Sequence, residues 1–204
     1  MTPRVEEWVF TGTQLERRGR TPIDVGEFVY GTDKAATIAA AGLSGPTPNT
    51  VTGNLVITTP GTVVENTIVT GWVELRANNI TLRNVKILVG SALMGTYSPP
   101  TQAGIFAMYD TTGHILEHVE IAPDTPTVDT YGIIGGGYTG RHLDIHDCVD
   151  AIQINKAQPV ILEGGHLHGG RHYAVDPRQV DGSHGDMIQL IMGSLTITGT
   201  VIDT

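Results

Sequence analysis

The 204-residue sequence holds one cysteine, Cys148, which excludes an intrachain disulfide framework and any zinc site built on several cysteines. Positive charge is scarce: 12 Lys and Arg stand against 21 Asp and Glu, a formal net charge of −9. That balance disfavours nucleic acid or an anionic membrane as a partner, because phosphate binding draws on Lys and Arg. No apolar run approaches the roughly 20 residues of a membrane span, so membrane insertion is not expected. The opening MTPRVEEWVF lacks the basic-then-apolar layout of a signal peptide. Aromatic residues make up 5% of the chain and charged residues 16%. With 26 glycines, this composition points to β structure with many tight turns, in a chain long enough for a sizeable core.

What the sequence does have is a repeated phrase. ITLRNVKI (80–87), HILEHVEI (114–121) and SLTITGTVI (194–202) share one outline. With the central apolar residue as position zero, the series is Val64, Leu82, Leu116, Leu143, Leu162 and Ile197. Five residues on stand Val69, Ile87, Ile121, Cys148, Leu167 and Ile202, all apolar. Two residues on stand Asn66, Asn84, His118, Ile145, Gly164 and Gly199. Asn and Gly tolerate a left-handed backbone, so each phrase reads as strand, bend, strand. A second apolar segment begins at Val73, Ile105, Ile133, Ile152 and Ile188. Extra residues enter between a phrase and the next such segment, at about 88–104, 122–132 and 168–187. All three insertions therefore fall at the same corner of the repeat.

A period near 20 with short strands and Asn or Gly bends describes an all-β parallel β-helix, a solenoid whose stacked coils bury a continuous apolar column. The chirality of parallel crossovers predicts a right-handed one. Residues 50–204 form the solenoid in this reading and 1–49 an N-terminal segment. TDKAATIAAAGL (32–43) is the helix candidate, with Thr32 or Asp33 as N-cap and Gly42 at its C-terminus. It is expected to cover the first coil, since open strand edges invite aggregation. LERRGR (15–20) reads as a solvated turn or a docking arm. The last phrase ends without a lid, so the natural chain is expected to continue past Thr204 or to be covered by another chain.

Loops on a rigid scaffold carry function, which directs attention to the insertions. The third, HGGRHYAVDPRQVDGSHGD, offers acid, base and cation together. A polysaccharide lyase needs a base and a cation, and a glycosidase needs two carboxylates. Asp176, Asp181, Asp186, His184 and Arg178 are the catalytic candidates. Tyr97, Tyr131, Arg171, His172 and Tyr173 are the candidates for glycan contact. One residue after position zero, Glu117, Asp144 and Glu163 fall on one outward strip, and Ca2+ is a possible occupant of such an acidic ladder. Four residues after position zero come Lys86, Glu120, Asp147 and His166. His166 and His168 flank inward Leu167 and share the outer face. With His172 nearby, two such histidines can hold Zn2+ or Ni2+, but no third ligand is evident and no metal site is assigned. Cys148 falls at an inward position and reads as core.

ITTPGTVVENTIVTGWVELRANNITLRNVKI (57–87) resembles the first coils of right-handed parallel β-helix proteins from actinobacteria and their phages. VDGSHGDMIQLIMGSLTITGTVID (180–203) resembles a later coil of the same group. The group includes phage minor tail proteins, tailspike-like depolymerases and pectate-lyase-like enzymes. The resemblance implies a virion tail protein, homotrimeric, in contact with other tail subunits and with host cell-surface polysaccharide. A polysaccharide-degrading enzyme and a structural virion spacer are the alternatives. The Asp clusters that bind Ca2+ in pectate lyases have no match here.

Overall fold

The computed structural model describes residues 8–10, 15–17, 33–90, 101–177, 180 and 182–203. Among them, an antiparallel pair comes first: β1 (Trp8–Phe10) with β2 (Leu15–Arg17). A helix, α1 (Lys34–Ala40), follows. The remaining strands alternate between two parallel sheets, an all-β, solenoid-like arrangement.

The first sheet holds β3 (Thr50–Thr52), β5 (Val63–Thr70), β7 (Thr81–Val89), β9 (His114–Pro123), β11 (Tyr138–His146), β13 (Val160–His168), β15 (Leu195–Thr198) and β16 (Val201–Ile202). The second holds β4 (Leu55–Ile57), β6 (Val73–Leu75), β8 (Gln102–Ala107), β10 (Thr130–Gly135), β12 (Asp150–Ile154) and β14 (Ile188–Leu190). Both stack in sequence order. The apolar starts predicted for the second sheet, Val73, Ile105, Ile133, Ile152 and Ile188, pair in one row, which Leu55 extends.

Each coil of the first sheet bends at a residue with positive φ. Asn66, Asn84, His118 and His142 lie near +52°, and Gly164 and Gly199 near +66°. The bend resets the side-chain alternation, so a coil reads inward, outward, bend, inward, outward, inward. The inward rows, with the second sheet's inward residues, form one core that includes Leu82, Val85, Ile87, Leu116, Val119, Ile121, Leu143, Ile145 and Leu162.

The fourth coil corrects the expected phase. Its position zero is Gly140, paired with Leu116 and Leu162, not Leu143. Its bend is His142, not Ile145, and its fifth residue on is Ile145, not Cys148. A glycine leaves no apolar mark in the sequence. Leu143 takes the space instead: a Cβ at 140 would lie 2.6 Å from Leu143 Cδ1. Cys148 is nevertheless buried in the core. Burial also explains the glycines of 135–137, since a Cβ at Gly135 would lie 1.9 Å from the Ala107 carbonyl oxygen.

The three insertions leave the first sheet at one corner, between β7 and β8, β9 and β10, and β13 and β14. The helix is shorter than expected and sits elsewhere. Asp33 caps it by accepting from the Ala36 N–H. It contacts β13 and β16 rather than the first coil, and Lys34 Nζ reaches Asp203 at 2.7 Å. From there the chain runs back across the bends. Gly42 N–H donates to the His142 carbonyl, and the Gly42 carbonyl meets His118 Nδ1 at 3.0 Å. Ser44 N–H donates to Asn84 Oδ1, and Asn84 Nδ2 donates to the Pro46 carbonyl and to Asn66 Oδ1. Asn49 N–H closes the series on the Asn66 carbonyl.

Asn84 thus supplies a left-handed backbone and three side-chain bonds. Asn84→Gly keeps the backbone and loses the bonds, whereas Asn84→Val loses both. Urea unfolding should show the Val variant less stable than the Gly variant by about 1–2 kcal/mol. Equal stabilities would mean that the backbone at residue 84 is not held left-handed.

Candidate functional site

Of the catalytic candidates, Arg178 and Asp181 lie outside the described residues, as does Tyr97 among the contact candidates. Asp176 is buried, while His184 and Asp186 are exposed. The insertion is closed by a reciprocal pair of bonds: Tyr173 N–H donates to Ser183 Oγ, and Ser183 N–H donates to the Tyr173 carbonyl. Asp186 N–H donates to Asp150 Oδ1. Arg171 is exposed and ion-paired with Asp147, and His172 is exposed. Tyr173 is half-buried on the same loop. Tyr131 departs from this group. It packs on the outer face of the second sheet, against Ala103, Phe106 and Ile134.

The outward strips of the first sheet follow the corrected phase. One residue after position zero the row is Glu65, Arg83, Glu117, Arg141 and Glu163. It alternates in sign, and Asp144 is not in it. The acidic ladder of Glu117, Asp144 and Glu163 is therefore not formed as a row. Arg83 pairs with Glu65, and its Nε donates to Glu117 at 2.9 Å; Arg141 Nε donates to Glu163 at 2.6 Å. Arg83 holds Glu117 below the usual carboxylate range. Such exposed pairs contribute little individually. They do relieve the repulsion that a row of like charges would suffer.

Four residues after position zero the row is Lys86, Glu120, Asp144 and His166, so Asp144 takes the place expected of Asp147. Two residues further along, His146 faces His168. Asp144 and His146 on β11 thus form a square with His166 and His168 on β13. His168 Nε2 lies 3.0 Å from Asp144 Oδ1, and His166 Nε2 lies 3.1 Å from Asp203 Oδ2. The His166 and His168 rings stack at 4.0 Å, and those of His146 and His168 at 5.0 Å. Glu120, 4.0 Å from its Nε2, and Asp147, 2.7 Å from its Nδ1, push the His146 pKa up to about 9. His146, helped by Lys86 at 2.6 Å, holds Glu120 down to about 2. The side chain that joins His166 and His168 in a cluster of three potential ligands is Asp144. An acid on the neighbouring strand is visible only once the register is known.

A second constellation lies on the outer face of the second sheet, and sequence reasoning missed it. The outward row there is Val56, Glu74, Phe106, Ile134, Gln153 and Gln189. Glu74 is buried, 4% exposed, yet it accepts from three side chains. Trp72 Nε1 donates at 3.1 Å, Arg76 Nε at 2.6 Å and Tyr109 Oη at 3.0 Å. The Arg76 guanidinium sits over the Tyr109 ring, 5.1 Å from its centre. Trp72 also packs on the Ala103, Phe106 and Ile134 cluster, beside Met108 and Tyr131. A W-x-E-x-R stretch was the available signal, since alternation puts all three residues on one face of a strand.

No family model, curated protein or solved structure matches the chain.

His114 belongs to neither constellation. It is 1% exposed at the start of β9, and burial lowers its pKa to about 4. Thr111 Oγ1 lies 3.1 Å from its Nε2, and the Ile80 N–H faces its Nδ1. A depressed histidine pKa favours the neutral form in the fold. Its contribution is fully present above the unfolded value near 6.5 and is lost as pH falls toward 4. Stability measured by urea unfolding should fall over that window by on the order of 1–3 kcal/mol. In His114→Gln that part of the slope should vanish. An unchanged acid slope would show that another group titrates there.

Proposed function

We propose that this protein is a right-handed parallel β-helix of a bacteriophage tail, whose surface binds a host-envelope polysaccharide. The observation that supports this reading is the Trp72–Glu74–Arg76–Tyr109 group on the second sheet, continuous with Tyr131. Aromatic rings offer flat apolar area to the C–H faces of a sugar, and their polar edges serve its hydroxyls. Glu74 accepts from Trp72, Arg76 and Tyr109, so it fixes the rings and the cation in place before any ligand arrives. A surface held in this way loses little side-chain freedom on binding. In this reading the chain acts outside the cell on the virion, as a homotrimer among other tail subunits. Alternating charge on the first sheet leaves that wall self-paired, which suits a scaffold. The helix and the strap after it add cover along the bends of the coils.

A second reading, a polysaccharide lyase or glycoside hydrolase, is favoured by one observation. His184 and Asp186 are exposed close together on the third insertion, where a substrate could reach them.

Host-envelope polysaccharide immobilised on a sensor surface would separate these readings. Wild-type protein should bind, and Trp72→Ala and Tyr109→Ala should each weaken binding about 5- to 15-fold, or about 1–1.5 kcal/mol. Unchanged affinity in both variants would sink the assignment of this face. New reducing ends, lost in Asp186→Asn, would replace the adhesin by an enzyme.

A further inference from the structure

We propose that Asp144, His166 and His168 form a binding site for a divalent transition metal of the Zn2+ class. This inference is independent of the glycan reading and concerns the other sheet. One ligand atom from each residue lies within 4.8 Å of the other two. His168 Nε2 and Asp144 Oδ1 stand 3.0 Å apart, close to the separation of neighbouring ligands on one ion. With metal–ligand bonds of about 2.0–2.2 Å, tetrahedral ligands lie about 3.3–3.5 Å apart. The widest gap therefore has to close by no more than about 1.5 Å. Torsions of the two imidazoles supply that movement, because neither ring is buried.

The strand geometry places the donors. His166 and His168 are two residues apart on β13, both outward, with Leu167 buried between them. Their Cα atoms are about 6.6–6.8 Å apart along the strand. Asp144 is the register partner of His166 on β11 and lies across a gap of about 4.8 Å. Two imidazoles and a carboxylate form the donor set of catalytic and accessory zinc sites, with water completing the shell. A carboxylate also stands behind one of the donors. His166 Nε2 meets Asp203 Oδ2 at 3.1 Å, which leaves Nδ1 for the ion. His146, the fourth corner of the square, is already engaged by Asp147 and is not counted as a ligand.

The alternative is a plain His168–Asp144 ion pair with no affinity for metal. Calorimetric titration of the metal-stripped full chain with Zn2+ distinguishes the two. The site predicts one saturable Zn2+ per chain. Asp144→Asn and His168→Gln should each weaken binding by more than the roughly 10–100-fold that loss of an outer-shell partner costs. His118→Asn removes an imidazole outside the site and puts there the residue found at the same bend of the two preceding coils; its affinity should match wild type. Co2+ loading supplies a further readout, visible d–d bands of a nitrogen- and oxygen-ligated ion, that needs no variant. Absence of saturable Zn2+ binding and of those bands in the wild type would overturn the proposal. So would binding that survives in folded Asp144→Asn, or that His118→Asn removes.

Discussion

A left-handed bend at the same step of each coil, stacked in register, is the constraint on which the rest of this structure depends. Asn66, Asn84, His118, His142, Gly164 and Gly199 all carry positive φ at the same step of the repeat. A non-glycine residue in this conformation costs about 1–2 kcal/mol, so four such residues in one column need compensation. The column provides it sideways. Asn84 bonds Asn66, and the His118 and His142 rings stack at 4.7 Å. The chain from Gly42 to Asn49 then ties the column from outside, meeting His142, His118, Asn84 and Asn66 in turn. Local strain, lateral pairing and the strap are parts of one arrangement. Losing the bend at one coil would change which residues face inward in the rest of that coil.

The bend also sets the chemistry of the two outer walls. Because it restarts the inward–outward alternation, the first sheet shows separate outward rows before and after the bend of each coil. The nearer row is filled by acids and bases of alternating sign, from Glu65 to Glu163. The farther row changes from Lys86 and Glu120 to Asp144 and His166 as the stack proceeds. Beyond the His118–His142 pair of the bend column, His146, His166 and His168 collect where the outward face nears the end of the stack, beside Asp203. The second sheet has shorter strands and no such bend, and its outward row runs through Phe106 and Ile134. Charge is therefore concentrated on one wall and aromatic surface on the other.

Much of this was legible in the sequence. The repeat, its two strand segments and the corner that takes insertions all follow from apolar spacing. The register of the fourth coil did not, and the reason is physical. Packing needs volume, and volume at one layer of the core comes from either of two positions. Gly140 gives none and Leu143 gives it three residues later, so apolar spacing marks the wrong residue. Asp144 points outward in either phase, which is why its exposure was read correctly and its neighbours were not. The Trp72–Glu74–Arg76 group stayed hidden for another reason. A glutamate on a short strand reads as solvated, and only the contacts show that it is enclosed by its own donors.

The depth of Glu74 bears on how the aromatic wall works. A carboxylate excluded from water is costly unless its oxygens are engaged, and here an indole, a phenol and a guanidinium engage it. Those three donors are bound to positions that their own side chains would not otherwise keep. Removing Glu74 would leave the Trp72 N–H and Arg76 without their acceptor and free the Tyr109 ring to turn. The acid thus acts through the rings it orients. The face it builds is set by the fold itself, through the same strand alternation that buries Val73 and Leu75 on either side of it.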